Sequence, residues 1–215
     1  TKIMLGKDIK LYDIDENPID LFWKDRPKPN NDVALLLNEK YTGLSSEKKR
    51  NQMANVISKN NCDAAFLTQL DSIAWLLNIR GNDVPCNPIL LCHGLLYADA
   101  SFDLFIKKSK IPKEFHNHVG PNISVIPPHK MKAKIAKLSG KKIQLDSSKS
   151  NGWIKTLLSD ADVTVVDKVD PCTLAKACKN NVEINGMKEC HIRDAVAVCT
   201  FLSWFDEEIK KGNLH

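Results

Sequence analysis

The strongest periodic pattern in this sequence lies near its C-terminal end. Apolar positions recur there in steps of three and four residues, which places them on one stripe of an α-helix from about Val182 to Lys210. At a rise of 1.5 Å per residue such a helix would be roughly 40 Å long, more than a small domain needs to cover its core. We therefore expect part of the stripe to lie against something else. The stripe consists of Ile184, Met187, His191, Ala195, Val198, Leu202, Phe205 and Ile209.

From Ser45 onwards the pattern alternates between helices and strands, which favours an α/β domain whose helices cover a sheet. Asp71 is expected to cap the helix 72–77 by accepting from its first backbone N–H groups. The strands 89–96 and 104–106 are joined by a short polar turn and should pair antiparallel, so we expect a mixed sheet. Ser45 or Ser46 can cap a further helix at 45–59, in which Met53, Val56 and Ile57 share one face. The other predictions are helices at 131–138 and 153–158 and strands at 64–68, 123–126, 142–145 and 163–166.

The first stretch, residues 1–31, has a different character. Its short apolar runs give way to Asn17-Pro18 and then to Arg26-Pro27-Lys28-Pro29. Prolines at alternate positions fix φ and push the preceding residues towards extended conformations, so this stretch is predicted to link two domains. Because the sequence starts at Thr1 rather than at a methionine, we expect a piece of a longer polypeptide.

Composition excludes several classes of protein. A chain of 215 residues that is 43% hydrophobic can bury a core. Its net charge of +5 is spread over interspersed basic and acidic residues, so neither a nucleic acid nor a membrane is needed as a partner. No apolar run is long enough to span a bilayer. The seven cysteines are odd in number and form no CxxC pair, which favours reduced thiols in the cytoplasm over disulfides or a zinc knuckle.

Sequence motifs for catalysis are scarce. The chain contains no GxSxG, GxxxxGK[ST] or GxGxxG pattern. His116 and His118, with His129 nearby, could suggest a metal site, but their Pro, Asn and Gly neighbours predict a solvated loop. Cys86 and Cys92 flank the start of an apolar strand, where buried, unreactive thiols are expected.

Residues 70–91, LDSIAWLLNIRGNDVPCNPILL, form the most distinctive segment. An apolar helix runs into a polar turn in which Gly81 and Asn82 can adopt positive φ. Arg80 presents a planar fork suited to a carboxylate from a ligand, from a neighbouring domain or from its own Asp83. The structural interpretation is a turn held by an Arg80–Asp83 ion pair. The functional interpretation is a polar contact at a substrate entrance or a domain boundary.

This segment resembles the middle-domain signature of three-domain aminopeptidase P, the Xaa-Pro aminopeptidase of the creatinase/prolidase superfamily. Two further segments resemble the same family in the right order. Residues 17–27, NPIDLFWKDRP, are similar to the exit from its first domain, and residues 176–197 are similar to the first helix of its catalytic domain. Residues 99–170 carry no signature and are assigned by position. The resemblance spans essentially the whole chain.

The resemblance implies a fragment in three parts. These are the end of the first domain with a linker (1–31), a middle creatinase-N-terminal-like α/β domain (32–175), and the first helix of a truncated pita-bread catalytic domain (176–215). In the family, that last domain holds two divalent metals, usually manganese, on two Asp, one His and two Glu, and a bridging water attacks the bond before proline. Those ligands would lie beyond this chain. The fragment is therefore expected to contain no metal site, no cofactor and no catalytic residue.

The same resemblance implies that proline-containing peptides are partners of the full-length parent. Arg80 and Asp83 are the residues expected to face the substrate entrance or an inter-domain contact. Without a catalytic-domain partner, the long helix should form a homodimer, fold back or fray. Two alternatives stay open: a stand-alone binding or scaffold module of the same fold, and an unrelated small hydrolase that uses Cys92 and His93.

Overall fold

The computed structural model describes Ile14 and residues 17–212, which divide into two compact units between Asn30 and Asn31. The first unit contains helix α1 (Pro18–Phe22). Asn17 caps this helix and Pro18 occupies its first turn, where a missing N–H costs nothing. The linker prediction for residues 1–31 did not include this helix, and the apolar runs expected among residues 1–13 lie outside the described residues.

The second unit contains an α/β domain and the long C-terminal helix. Its helices are α2 (Glu39–Thr42), α3 (Ser46–Lys59), α4 (Leu70–Leu77), α5 (Phe115–Val119), α6 (Met131–Ile135), α7 (Gly152–Asp160), α8 (Cys172–Ala177) and α9 (Asn181–Lys210). Its strands are β1 (Leu35–Leu36), β2 (Ala64–Leu67), β3 (Ile79–Arg80), β4 (His93–Tyr97), β5 (Phe102–Phe105), β6 (Ile123–Ile126), β7 (Lys142–Leu145) and β8 (Thr164–Asp167). Single turns of 3-10 helix occupy Lys108–Lys110, Pro128–Lys130 and Ala136–Leu138.

Six of the described strands form one mixed sheet in the order β6-β5-β4-β2-β7-β8. Strand β4 runs antiparallel to β5, as predicted, and it also runs antiparallel to β2, whereas the other neighbours are parallel. A short turn joins β4 to β5, and Ala100 adopts φ 66° in it. Strands β1 and β3 pair separately, with Leu35 opposite Arg80. The predicted class, an α/β fold with a mixed sheet flanked by helices, is confirmed.

The core lies on both faces of this sheet because successive strand residues point to opposite sides. In β4, Leu95 packs into a cluster with Ile135 and Ile154, on the side covered by α6 and α7. Leu96 points the other way, into a cluster with Ile57 and Leu77 from α3 and α4. Both faces are therefore closed by helices, and all six of these side chains are fully buried.

One local prediction about the helices is wrong, and another is made more precise. Helix α3 is capped by Ser45, one of its two expected caps. Met53 and Ile57 are buried together with Lys49, whereas Val56 is exposed. Asp71 is not a cap, because α4 begins one residue earlier, at Leu70. Asp71 lies in the first turn of that helix and forms an ion pair with a lysine of α8.

Three loop and strand predictions are also corrected. Residues 115–119 form the short helix α5 rather than a loop, because Phe115 and Val119 are buried one turn apart. The strand expected from Ile89 begins only at His93. Cys86 is exposed rather than buried, and it adopts a left-handed φ of 59°.

Helix α9 matches its predicted extent. Asn180 and Glu183 form a complete capping box at its start, which satisfies the first free backbone N–H groups. None of its side chains is buried within the described part of the chain. The predicted stripe is exposed, and further apolar residues, including Phe201 and Trp204, are exposed beside it. No helix among the described residues has the length and apolar character needed to cross a bilayer.

Candidate functional site

A cleft of about 780 Å³ lies where the start of α9 meets the α/β domain. Its walls come from α2, from α4 and from the first turns of α9, and the segment before β4 closes one side. The lining is mixed, with apolar groups beside charged ones. Its most informative members are Tyr41, Trp75, Arg80, Pro88, Val182 and Glu183.

Arg80 lines this cleft from the short strand β3. Its Nη1 atom donates to the carbonyl oxygens of Ala74, at 3.1 Å, and Ile79, at 2.9 Å, so the guanidinium is held against the end of α4. Burial lowers the pKa of Arg80, and the nearby Glu183 carboxylate raises it in part. An arginine stays protonated even so, and the cleft therefore carries a fixed positive charge.

Asp83 is not the partner of Arg80. Its carboxylate forms an ion pair with Lys110 and accepts from the backbone N–H of Leu91 at 2.8 Å. The side chains of Asp83 and Lys110 are only 2% and 6% exposed. The predicted Arg80–Asp83 pair is therefore wrong, because Arg80 is held by the carbonyls of Ala74 and Ile79, while Asp83 faces the segment that carries Lys110.

The backbone of this turn also differs from the prediction. Neither Gly81 nor Asn82 has a positive φ, and the left-handed residues are Asn78 (φ 53°) and Cys86 (φ 59°). Gly81 is needed for a different reason. A Cβ at that position would overlap the side chain of Leu90, so the absence of a side chain allows the two segments to pack closely.

Asn78 ends α4 and connects three neighbouring segments. Its carbonyl oxygen accepts from the N–H of Leu37, and its Nδ2 donates to the carbonyl of Leu44, both at 2.8 Å. Its Oδ1 accepts from Lys49 Nζ at 2.8 Å. His118 Nε2 also lies 3.0 Å from the Asn78 carbonyl oxygen. A buried amide with all its polar atoms bonded fixes its surroundings, so α4 ends at one defined place beside the cleft.

Lys49 is a fully buried lysine beneath this cleft. Besides Asn78, it donates to the carbonyl oxygen of Trp75 at 3.1 Å, and its Nζ lies 4.5 Å from the centre of the Trp75 ring. Burial lowers the pKa of Lys49 to about 8, with Glu183 raising it and Arg80 lowering it further. The sequence carried a signal for this residue, since Lys49, Met53 and Ile57 recur every four residues on one helix face.

An ion pair between Asp71 and Lys176 joins α4 to α8 at the rim of the cleft. Burial raises the pKa of Asp71, but the hydrogen bond and charge of Lys176 outweigh it, so the pKa is lowered overall. Both residues line the cleft. The pair therefore places one carboxylate and one ammonium group at the rim. It also connects α8 to α4 immediately before α9 begins.

The described residues provide no group of three His, Cys, Asp or Glu side chains that could hold a metal ion. The two metals that the family resemblance implies therefore find no matching set of ligands in the part of the chain that the structure describes. His116 is exposed, whereas the ring of His118 is hydrogen-bonded to the Asn78 carbonyl, so the two histidines do not form a shared site.

The cysteine-based alternative has little chemical support. Cys92 is buried, and burial raises the pKa of its thiol to about 12, with Asp83 raising it further. The thiolate is the nucleophilic form, so such a thiol is unreactive at neutral pH. Burial lowers the pKa of the adjacent His93, but no hydrogen bond joins it to the Cys92 sulfur, which donates to the carbonyl of Leu90.

Comparison with known proteins shows the family to which this chain belongs. The family model for the creatinase/prolidase N-terminal domain matches residues 25–183. The chain therefore belongs to the creatinase/prolidase N-terminal domain family. An Xaa-Pro dipeptidase from Bacillus anthracis shares this fold, with a TM-score of 0.57 at 14% identity over 74% of this chain and 44% of that one.

More similar proteins narrow the resemblance. A probable Xaa-Pro aminopeptidase P from Ajellomyces capsulatus is 33% identical over 93% of this chain and 33% of its own length. One from Aspergillus niger is 30% identical over 93% of this chain and 34% of its own. The X-prolyl aminopeptidase of Caenorhabditis elegans, described as a cytosolic enzyme with a di-nuclear active site, superposes with a TM-score of 0.84 at 29% identity.

That superposition covers 93% of this chain and 33% of the worm enzyme. The chain thus spans about a third of the length of the relatives that it matches. The family resemblance drawn from the sequence is confirmed.

Proposed function

We propose that this chain is a non-catalytic part of a longer metal-dependent Xaa-Pro aminopeptidase, which removes the N-terminal residue from peptides with proline in second position. The observation that carries the proposal is the TM-score of 0.84 to the worm X-prolyl aminopeptidase, over nearly all of this chain but only a third of that enzyme. In this proposal, residues 1–31 end a first domain, 32–175 form the middle domain, and 176–215 start the catalytic domain.

The metals of the parent would be bound outside this chain. The worm enzyme has a di-nuclear site, which supports two divalent metals, manganese among the candidates, in the parent. The described residues lack a matching set of ligands. What this chain contributes is shape and charge: it supports the start of α9 and presents the cleft that Arg80 lines. The cytosolic worm enzyme supports a cytoplasmic location for the parent. A homodimer through α9 stays a prediction.

Arg80 is the residue proposed to contact either the incoming peptide or a neighbouring domain. Its Nη1 is used by two backbone carbonyls, and the side chain lines an open cleft. Asp83 is proposed to act indirectly. It holds the segment before β4 through Leu91 and Lys110, and that segment supplies Pro88 to the cleft.

The test uses the complete polypeptide that contains this chain. Two peptides that differ only in Pro or Ala at the second position should separate clearly, with turnover of the proline peptide and its loss on chelation. Equal rates on both peptides, or turnover that survives complete metal removal, would contradict the proposal. Replacing Arg80 by Ala tests the cleft, because unchanged kcat/KM together with unchanged stability would exclude a role for that residue.

A stand-alone binding module of the same fold is the second candidate. The exposed apolar residues of α9, which no described part of this chain covers, favour it as a surface that binds a partner protein. The reading frame after His215 discriminates between the two. Metal-binding carboxylates and a histidine there support the peptidase, whereas an immediate stop codon supports the module.

A further inference from the structure

The side chain of Asn180 ties the start of α9 to the α/β domain. Its Oδ1 caps the helix by accepting from the N–H groups of Val182, at 2.9 Å, and Glu183, at 3.0 Å. Its Nδ2 donates in the opposite direction, to the carbonyl oxygen of Thr42 at the end of α2, at 2.8 Å. One amide therefore both starts α9 and ties that start to α2.

The end of α2 is shaped to receive this amide. Gly43 follows Thr42 in a left-handed conformation, with φ 69°, and packs directly against Asn180. A Cβ at Gly43 would lie 2.5 Å from Asn180 Oδ1 and 2.8 Å from Nδ2, too close for either atom to stay in place. The contact thus depends on a glycine on one side and a carboxamide on the other.

None of the side chains of α9 is buried in the described structure, so its direction depends strongly on the contacts at its start. With 30 residues, the helix is about 45 Å long. A rotation of roughly 10° at its start would therefore displace its far end by about 8 Å. Misplacements of about 1 Å can reduce the rate of an enzyme by about a hundredfold. A small change of angle at the joint, meaning the contact of Asn180 with Thr42 and Gly43 at the end of α2, would therefore be enough to reduce the rate.

We infer that Asn180 is a positioning residue for peptide cleavage, because it sets the direction in which α9 leaves the domain and so the place of whatever follows α9. The inference rests on the proposed function, since it assigns the catalytic residues to the polypeptide beyond α9. Asn180 itself touches no substrate in this account. It acts through the helix that it caps and through the α2 carbonyl that it binds.

Two substitutions in the complete polypeptide break the joint in different ways. Asn180→Asp keeps an oxygen that can cap α9 but replaces the donor to Thr42 with a second oxygen. Gly43→Ala leaves Asn180 unchanged and pushes it away. Each has a matched control: Asn151→Asp alters the N-cap of α7, and Gly140→Ala imposes the same left-handed strain (φ 76°) where a Cβ meets no described atom within 4 Å.

Two measurements are made on all four variants. The first is the distance distribution between spin labels on keto amino acids at Lys155 in α7 and Arg193 in α9, which avoids the native thiols. The second is steady-state hydrolysis of a proline peptide. We expect the two joint variants to broaden or shift the distances and to lower kcat about tenfold or more, with KM changed less than threefold. The controls should keep the distances of the unaltered enzyme and a kcat within about twofold of its value. All variants should have comparable melting temperatures.

The inference is overturned if the joint variants leave the distances unchanged in an active enzyme, or if the distances change and kcat does not. It is also overturned if the controls lose as much activity as the joint variants, since capping or backbone strain would then explain the loss. If the unaltered polypeptide cleaves no proline peptide, the proposed function fails and the positioning role fails with it, an outcome that is visible before any variant is made.

Discussion

The buried ion pair between Asp83 and Lys110 gives the sharpest stability prediction. Both side chains are almost fully removed from water, and the Leu91 N–H adds a further bond to the carboxylate. Lys110→Met removes one partner and leaves an uncompensated charge inside the protein. Such a loss costs about 3 to 5 kcal/mol, a large share of the roughly 5 to 15 kcal/mol by which a domain is stable. The free energy of unfolding in urea measures it directly.

An exposed pair of the same residue types provides the control. Lys141 and Asp63 lie 3.1 Å apart with side chains 54% and 42% exposed, so Lys141→Met should cost no more than about 1 kcal/mol. The double variant Asp83→Asn with Lys110→Met should recover much of the stability that the single variant loses, because no unpaired charge remains. Equal losses for the two lysine variants would show that burial of the Asp83–Lys110 pair does not matter, as would a double variant no more stable than Lys110→Met.

Three further predictions follow from burial. Because folding lowers the pKa of Lys49 from 10.5 to about 8, the unfolded chain binds more protons between these pH values. The free energy of unfolding should therefore rise across that window relative to Lys49→Met, by about 3 kcal/mol at most, and a flat difference would contradict the assignment. In thiol labelling of the native chain, Cys86 should react readily and Cys92 only after unfolding, so equal rates would argue against the burial. Gly94→Ala should destabilise the protein by about 1 to 3 kcal/mol, because the new Cβ would overlap the ring of Phe102 in β5. As a control, Gly152→Ala should be near neutral in urea unfolding, because its Cβ would meet no described atom within 4 Å. Similar losses of stability for the two variants would count against the close packing at Gly94.

Many elements of this fold could be predicted because a short local pattern in the sequence marks them. The stripe from Ile184 to Ile209 predicted α9, and the separate apolar runs predicted strands close to β2, β6, β7 and β8. The antiparallel pairing of β4 with β5 followed from the short turn between them. Patterns of this kind show the type of each element and which of its residues share a face, and that is enough for a fold class.

The polar contacts could not be predicted in the same way, because their partners are distant in the sequence. Asp83 pairs with Lys110, 27 residues away, rather than with the neighbouring Arg80. Asn180 binds the carbonyl of Thr42, 138 residues away. A local pattern shows that a side chain is polar but not which of many donors the fold brings to it. The resemblance to a family supplied the functional context that the residues alone could not.

In the proposed function, the chemistry of the parent lies outside this chain. To test this, residues 1–215 and the complete polypeptide are purified side by side. Bound metal is measured by mass spectrometry, and turnover of a proline peptide is measured on the same samples. We expect about two tightly bound metals and turnover for the complete polypeptide, and neither for residues 1–215. Stoichiometric metal or proline-specific turnover in residues 1–215 would contradict it.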